Sequence, residues 1–268
     1  MIIQKWLHTS SAKLREVGIV SAYLDAEIIL AHTLRKNRTW LHAHDHEDIL
    51  PRRLEIANAR LEMRLDRVPI AYIIGHKEFY GRRFHVSPSV LIPRPESETI
   101  IELLKELYRP FHKKLVDVGA GSGILGITAK LELPELSVTL CDISRHALTV
   151  ASNNVAEHRT DVQLIESNLL DSYPLVADII IANLPYVDET WERSPETNHE
   201  PGLALFAKQN GLELIYKLID QTSEKLSNGG ILILEADPVQ HDAIIKYSKS
   251  CGLSLSKLKD YILALIKD

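Results

Sequence analysis

The chain has 268 residues, of which 45% are hydrophobic and 25% are charged, a composition typical of soluble globular proteins. No apolar run reaches the roughly 18 residues of a membrane-spanning helix, the N-terminus lacks a signal-peptide pattern, and two cysteines cannot build a disulfide framework. These features argue against membrane and disulfide-rich secreted proteins, and they predict one large and one small domain in the cytoplasm.

Charge is unevenly distributed along the chain. Met1 to Ile92 contains 14 Lys and Arg against 10 Asp and Glu, a net charge of +4, whereas the remainder carries 17 against 26, a net charge of −9. Ordinary solvated helix faces can produce such asymmetry. The alternative is an N-terminal module that meets an acidic partner. The acidic remainder argues weakly against nucleic acid as the main substrate.

The first section, from Ile2 to about Ile74, has a helical pattern. The runs LREVGI, AEIILAHTLR and RRLEIANARLEMRL repeat apolar residues at spacings of three and four, which predicts a small helical bundle. Pro51 suits the first turn of the last of these helices, and Arg64 and Arg67 fall in its predicted last turns. The histidine-rich run HAHDHED favours a polar loop over a metal site, because neither its spacing nor nearby cysteines suit one. We predict no metal.

A short hairpin and then a proline-rich segment follow. Aromatic and β-branched residues flank Gly81 as in a hairpin, namely Phe79, Tyr80, Phe84 and Val86. Three prolines then interrupt regular structure, and a helix is predicted from about Glu96, where acidic residues suit the first turn. The predicted domains are a helical substrate-recognition domain at residues 1–75, a hairpin linker at 76–92 and a catalytic domain at 93–268.

From Lys114 onward, strands alternate with helices. The runs LVDVG, VTLCD, VQLIE, ADIIIAN and ILILEA are separated by helical segments, which predicts a parallel, doubly wound, Rossmann-like sheet. At the C-terminus LSLSKLKD and YILALIK are almost adjacent, so they must pair as an antiparallel hairpin. The predicted fold class is therefore α/β, with seven strands and an antiparallel C-terminal hairpin.

A glycine-rich loop, DVGAGSG at residues 117–123, follows the first of these strands. Such a loop allows a ligand to approach the backbone beside a helix N-terminus. Gly121, Gly123 and Gly126 match the dinucleotide pattern G-x-G-x-x-G, and Asp142 could accept ribose hydroxyls. The same residues also match the D-x-G-x-G-x-G loop of S-adenosylmethionine-dependent methyltransferases. The loop alone does not decide between these, and a tight turn without ligand is a third interpretation.

The run ANLPY leaves the fourth strand at the carboxyl edge of the sheet, where ligands bind in doubly wound folds. An amide or base nitrogen is a poor nucleophile, and two acceptors aimed at its N–H bonds can position it for methyl transfer. Asn183 offers a side-chain oxygen and Leu184 a backbone carbonyl. Pro185 biases Leu184 to an extended conformation, and Tyr186 offers a ring for stacking. A turn with one core tyrosine is the structural alternative.

The chain resembles the HemK/PrmC-type N5-glutamine methyltransferases of peptide chain release factors. The resemblance covers nearly the whole chain, and it is carried by VPIAYIIG, FYGRRFHVSPSVLIPRPESE, LVDVGAGSGILGI, IIANLPYVDE, HEPGLALFAKQNGLELI and SNGGILILEA. It implies transfer of a methyl group from S-adenosylmethionine to the glutamine amide of a Gly-Gly-Gln loop in a release factor. No membrane and no direct nucleic-acid partner are expected.

Roles for individual residues follow from this resemblance. Asn183, Leu184, Pro185 and Tyr186 are the implied catalytic residues, and the helical N-terminal section helps to grip the release factor. The segment His199 to Pro201 shapes the pocket. The implied cofactor-binding residues are Asp117, Gly119, Ala120, Gly121, Ser122, Gly123, Asp142, Asn168, Leu169 and Asn183.

The sequence departs from the family pattern in three places. Leu184 stands where the family usually has proline, Asn168 stands where it commonly has an acid, and the final hairpin lacks a longer Arg-containing connection. The Asn-Leu-Pro-Tyr run is also similar to that of ribosomal RNA adenine dimethylases. The alternatives are therefore a ribosomal protein glutamine methyltransferase, an adenine-N6 methyltransferase acting on RNA or DNA, and a non-catalytic NAD-type binding protein.

Overall fold

A computed structural model describes all residues, 1–268. The chain divides into two compact units, one formed by Met1–His76 with Ser194–His199 and the other by Lys77–Arg193 with Glu200–Asp268. No helix combines the length and the apolar character needed to span a membrane. The three domain ranges given above stay a prediction.

The first unit is a bundle of five helices. They are α1 (Ile3–Glu16), α2 (Ala22–Leu34), α3 (Arg38–Ala43), α4 (Pro51–Leu65) and α5 (Ile70–Ile74). Their apolar faces form one core that contains Trp6, whose indole N–H donates to Asn58 Oδ1 at 2.8 Å. Pro51 occupies the first turn of α4 as predicted, because its fixed φ suits that position. The placement of Arg67 in α4 was wrong, since it lies past the helix end with a φ of 66°.

A buried arginine joins the short segment 194–199 to these helices. Arg64 donates from Nε to Asp25 at 2.7 Å and from Nη1 to Glu196 at 3.1 Å, and Arg67 also donates to Glu196 at 3.0 Å. Although burial acts in the opposite direction, hydrogen bonds from Ser194 and Arg64 lower the pKa of Glu196 to about 2. The segment is thus held on the bundle by charge pairs that the local sequence pattern does not reveal.

The second unit begins with a hairpin and continues into a seven-stranded sheet. The hairpin strands are β1 (His76–Phe79) and β2 (Arg82–His85). The sheet strands are β3 (Lys114–Val118), β4 (Ser137–Asp142), β5 (Val162–Glu166), β6 (Ala177–Ala182), β7 (Leu226–Glu235), β8 (Leu253–Lys259) and β9 (Ile262–Lys267). Their order is β5-β4-β3-β6-β7-β9-β8, with β9 antiparallel to both β7 and β8. The predicted fold class is confirmed.

Five helices cover the two faces of this sheet, namely α6 (Glu98–Leu107), α7 (Ile124–Glu132), α8 (Arg145–His158), α9 (Glu213–Lys225) and α10 (His241–Ser250). Successive strand residues point to opposite faces, so Ile179 and Ile181 join the core beneath α6 and α7, whereas Ile180 joins that beneath α9 and α10. The result is a three-layer α/β/α unit. The predicted helix at Glu96 starts two residues later, after a 3₁₀ turn at Pro95–Ser97.

The strand order sets the position of the site. The chain runs outward from β3 to β5 and then returns to β6 on the other side of β3, so the connections diverge between β3 and β6. Val118 at the end of β3 pairs with Ala182 at the end of β6. Because ligands in such sheets bind where the connections diverge, the glycine loop and Asn183 emerge side by side at the expected place.

Candidate active site

The glycine loop is held by backbone hydrogen bonds and by Asp142. The N–H groups of Gly119 and Ala120 donate to the carbonyl of Cys141 at 2.9 and 3.0 Å. Asp142 accepts from Gly121 N–H and Ser144 N–H, both at 2.8 Å. Burial raises the pKa of Asp142, and these backbone donors oppose that shift. Each carboxylate oxygen keeps acceptor capacity that a ligand hydroxyl could use.

Asp117 lies beneath the loop. Its Oδ2 accepts from Gly126 N–H at 2.8 Å, whereas its buried Oδ1 has no hydrogen-bond partner. Burial raises the pKa of Asp117 to about 7, although the Gly126 hydrogen bond lowers it. A buried carboxyl with one unused oxygen is costly to keep in an apolar core. Such an oxygen is consistent with a loop built to receive a polar ligand.

Asn154, in the middle of α8, joins the glycine loop to the hairpin. Its Nδ2 donates to Ser122 O at 2.8 Å and to His85 O at 3.0 Å, and its Oδ1 accepts from His85 N–H at 2.7 Å. The residue is completely buried. This role was not predicted, because α8 carries two adjacent asparagines, Asn153 and Asn154, and nothing in the local sequence distinguishes the one that is buried.

Most of the predicted site residues line one pocket at the carboxyl edge of the sheet, within the second unit. Those at its wall are Gly119, Ala120, Gly121, Ser122, Asp142, Asn168, Leu169, Asn183, Leu184 and Pro185. Three predicted residues do not line the pocket, namely Asp117, Gly123 and Tyr186. Asp117 lies beneath the loop, and Gly123 is the N-cap of α7. The hydroxyl of Tyr186 donates to Glu235. The structure thus brings together two stretches that the sequence separates by about sixty residues.

One end of the pocket is formed by Asn168 and Leu169, after β5. Leu169 is nearly buried and has a φ of 51°, an unusual conformation for a side chain of this kind. Asn168 Nδ2 donates to Asp171 Oδ2 at 3.2 Å, so one of its two amide hydrogens is engaged within the protein. This arrangement places an apolar wall next to an amide oxygen, a combination suited to a planar, polar-edged ring.

Asn183 belongs to a hydrogen-bonded chain that the sequence analysis did not foresee. Its Nδ2 donates to Ser97 Oγ at 3.1 Å, and Ser97 Oγ donates to Glu235 Oε2 at 2.6 Å. Tyr186 donates its hydroxyl to Glu235 Oε1 at 3.0 Å. Burial, together with the charge of Glu235, raises the pKa of Tyr186, so the phenol remains a donor. The available signals were the PRPESE run and the acidic end of ILILEA.

The LIPRPE and HEP segments meet through Glu200. This buried carboxylate accepts from Ile92 N–H at 3.0 Å and from Arg94 Nη2 at 2.5 Å. Pro201 and Pro93 both line the pocket. His199, in contrast, bonds to the carbonyl of Asp66 within the first unit. Pro201 therefore lines the pocket, Glu200 holds Ile92 and Arg94 without lining it, and His199 does not line it.

The arrangement is suited to binding a nucleoside-containing ligand and positioning an amide or amino group. The loop offers backbone close to the ligand, Asp142 offers acceptors, and Leu169 offers an apolar surface. Asn183 and Leu184 line the same pocket. The structure contains no cluster of three or more His, Cys, Asp or Glu side chains that could hold a metal ion.

Comparison with known proteins identifies the family. The family model for the PrmC N-terminal domain matches residues 5–75, and that for the methyltransferase small domain matches residues 97–200. A release factor glutamine methyltransferase from Deinococcus radiodurans is 35% identical over 242 residues, which cover 89% of this chain and 87% of the relative. Its counterpart from Aliivibrio fischeri is 33% identical, covering 97% of this chain and 93% of the relative.

A solved structure supports the fold. The Thermus thermophilus 16S rRNA N2 G1207 methyltransferase in complex with AdoMet and guanosine superimposes with a TM-score of 0.54 at 17% identity, covering 72% of this chain and 50% of that one. At this identity the likeness concerns the fold alone. The two family models and the identity to full-length relatives carry the assignment, and they confirm the resemblance seen in the sequence. The chain belongs to the release factor glutamine methyltransferase family.

Proposed function

We propose that this enzyme transfers a methyl group from S-adenosylmethionine to N5 of a glutamine side chain in the Gly-Gly-Gln loop of a peptide chain release factor. The observation that carries the proposal is the anchoring of Asn183, whose Nδ2 donates to Ser97 Oγ at 3.1 Å. With that end of the amide engaged inside the protein, Oδ1 is the end left for a substrate N–H. Family membership supports the substrate class.

The pocket supports S-adenosylmethionine as the cofactor. The loop from Gly119 to Gly123 would hold its amino-acid portion, Asp142 would accept the ribose hydroxyls, and Leu169 with Asn168 would border the adenine. Asp117 supports the loop from below through Gly126. The bound sulfonium supplies a methyl group with an excellent leaving group already in place. The proposed transfer therefore calls for no nucleophilic side chain.

The chain's own residues then orient the substrate nitrogen. Asn183 Oδ1 and the Leu184 carbonyl would accept the two N–H bonds of the amide, which favours the geometry in which the nitrogen lone pair turns to the methyl group. Pro185 biases Leu184 to an extended conformation, so the carbonyl direction is restricted. Tyr186 does not line the pocket, so it enters the proposal as a ring behind Pro185 in the chain, with its hydroxyl anchored on Glu235.

The helical unit is proposed to recognise the release factor. The section from Met1 to Ile92, which comprises helices α1–α5 and the hairpin, carries a net charge of +4, in contrast with −9 for the rest of the chain, and three of its 14 basic residues, Lys77, Arg82 and Arg83, lie in the hairpin. This difference in charge supports different roles for the two sections. The basic section would recognise an acidic protein surface, and the acidic section would carry out the methyl transfer. A cytoplasmic reaction follows from the proposed substrate, because translation termination takes place there.

Transfer of labelled methyl from S-adenosylmethionine to a purified release factor tests the proposal. The expected result is label on the wild-type release factor and none when the Gly-Gly-Gln glutamine is replaced by alanine. Ribosomal RNA and ribosomal proteins are assayed in parallel. Label on RNA alone would overturn the proposed substrate class, and label on a ribosomal protein alone would keep the amide chemistry but replace the partner.

A further inference from the structure

A continuous hydrogen-bonded relay runs behind Asn183. Asn183 Nδ2 donates to Ser97 Oγ at 3.1 Å, Ser97 donates to Glu235 Oε2 at 2.6 Å, and Tyr186 donates to Glu235 Oε1 at 3.0 Å. Glu235 is the last residue of β7, and it is 1% exposed. No ion pair with a basic side chain accompanies this buried carboxylate, so its partners are the hydroxyl and amide groups of the site.

The direction in which the hydrogen bonds of the relay point is set by Glu235, the carboxylate at its end. An ionised carboxylate can only accept hydrogen bonds, and a serine hydroxyl has one hydrogen to donate. The short Ser97–Glu235 distance indicates a charge-assisted bond, so that hydrogen lies towards Glu235. Ser97 therefore presents a lone pair to Asn183, and only the NH₂ end of the Asn183 amide can satisfy it.

This direction determines which atom of Asn183 faces the substrate. An asparagine amide has a donor end and an acceptor end, and rotation by half a turn about χ2 exchanges them. In the reversed orientation an NH₂ group would meet the N–H bonds of a glutamine amide, and binding would be repulsive. We propose that Glu235 is a positioning residue that acts through Ser97 to keep the Asn183 oxygen towards the substrate; this role rests on the proposed function.

Glu235 is the member of the relay whose protonation changes with pH. Burial raises the pKa of Glu235, hydrogen bonds from Ser97, Tyr186 and Asn183 lower it, and the neighbouring charge of Glu96 raises it. The groups facing it are thus Glu96 and Ser97 from the 3₁₀ turn, with Asn183 and Tyr186 from the exit of β6. Asp237, which follows β7, acts on the same network through Tyr186. A protonated Glu235 can donate a hydrogen bond to Ser97. The Ser97 hydroxyl is then free to donate to Asn183, and it would stabilise the reversed amide, in which Oδ1 points to Ser97.

The test uses Glu235→Gln, which keeps the shape of the side chain but is neutral and has a donor at one position. We expect kcat to fall by about ten- to hundredfold, the range known for residues that orient the ligands of a metal through a hydrogen bond, and the affinity for S-adenosylmethionine to stay unchanged. In the wild type, kcat should fall as acidification protonates Glu235, and Glu235→Gln should lack this acid limb. Wild-type kcat or an unaltered acid limb in Glu235→Gln would overturn the proposal.

Ser97 gives an independent pair of variants if Glu235→Gln is poorly folded. Ser97→Ala removes the relay hydroxyl and should lower kcat, whereas Ser97→Thr keeps a hydroxyl and should restore it. Ser254→Ala is the matched control, because Ser254 also donates to a carboxylate, Asp268 at 2.8 Å, on the exposed strand β8. Equal loss in Ser97→Ala and Ser97→Thr, with both variants folded by thermal melting, would contradict a positioning role.

A spectroscopic readout separates this inference from the proposed function. In protein labelled with ¹⁵N-asparagine, the Asn183 side-chain NH₂, assigned by its loss in Asn183→Ala, should exchange slowly with solvent. Exchange should accelerate in Ser97→Ala and Glu235→Gln and stay slow in Ser97→Thr. Unchanged exchange in every variant would overturn the relay even if the release factor is methylated. Accelerated exchange without methylation of the release factor would instead overturn the proposed substrate.

Discussion

Leu184 packs directly against Gly119. A Cβ placed on Gly119 would stand 2.8 Å from Leu184 Cδ2, closer than real Cβ atoms come, and Gly119 has a φ of 70°. Leu184 is 4% exposed. The first glycine of the loop and the second residue after β6 are thus complementary in shape. The Leu184 side chain is therefore part of the contact between the glycine loop and the Asn183–Tyr186 run.

We expect Leu184→Pro to remain active. The proposed acceptor at this position is the backbone carbonyl, which proline keeps, and proline restricts the torsion that directs it. Leu184→Ala also keeps the carbonyl but removes buried contacts, so it should lower the free energy of unfolding by about 2–5 kcal/mol. Steady-state kinetics and urea denaturation check both variants. Abolished transfer in a stably folded Leu184→Pro would show that the leucine side chain itself is needed.

Asn183→Ala should abolish methyl transfer and leave S-adenosylmethionine binding largely intact. Its amide is proposed to position the substrate nitrogen, whereas most of the cofactor pocket is formed by the glycine loop, Asp142 and Leu169. Labelled-methyl transfer and isothermal titration calorimetry measure the two properties separately. Loss of both together would remove the role assigned to Asn183.

Gly211→Ala should destabilise the protein and lower kcat. Gly211 has a φ of 81°, and an added Cβ would lie 1.9 Å from the Tyr186 carbonyl oxygen, so the backbone beside the motif must move. Gln240 Nε2, which donates to that same oxygen at 2.9 Å, would also be displaced. Thermal unfolding and kinetics measure the effect.

Gly81→Ala is the matched control for this change. Gly81 has a φ of 70°, but an added Cβ meets nothing within 4 Å. Its cost should be the backbone strain alone, about 1–2 kcal/mol, with kcat retained. Equal effects of the two substitutions would show that the contact with Tyr186 does not matter.

Asp117 should make stability fall with rising pH. Burial raises its pKa to about 7 from 3.8, so between these values the folded state holds a proton that the unfolded state has lost. The free energy of unfolding therefore decreases by about 1.4 kcal/mol per pH unit over this window, and the loss is complete above it. Asp117→Asn lacks this contribution. The free energy of unfolding of Asp117→Asn minus that of the wild type should therefore increase from about pH 4 to about pH 7 and stay constant above it. Urea denaturation at several pH values measures this difference. A constant difference would contradict the buried, protonated carboxyl.

The helical N-terminal section, the alternation of strands and helices, the C-terminal hairpin and the glycine loop were predictable from the sequence. Each depends on local properties, namely apolar periodicity, the length of a connection or the conformation that glycine allows. The order of motifs along the chain was also sufficient to place the loop and Asn183 at one edge of the sheet, because parallel strands end on the same side. The family could be recognised from longer motifs such as VPIAYIIG, LIPRPESE and IIANLPYVDE, whereas the glycine loop alone did not decide it.

Only the tertiary structure decided which polar groups meet. Ser97 is hydrogen-bonded to Asn183, 86 residues away in the sequence, and to Glu235, 138 residues away. Arg64 is hydrogen-bonded to Glu196, 132 residues away. Local patterns do not encode such pairs, because they depend on strand order and on which side chains are buried together. A buried carboxylate must find donors, and the fold alone determines whether these are water, a basic side chain or the serine and tyrosine of the site. The sequence by itself therefore determined the elements and their chemistry, whereas the packing of distant elements decided the orientation of Asn183.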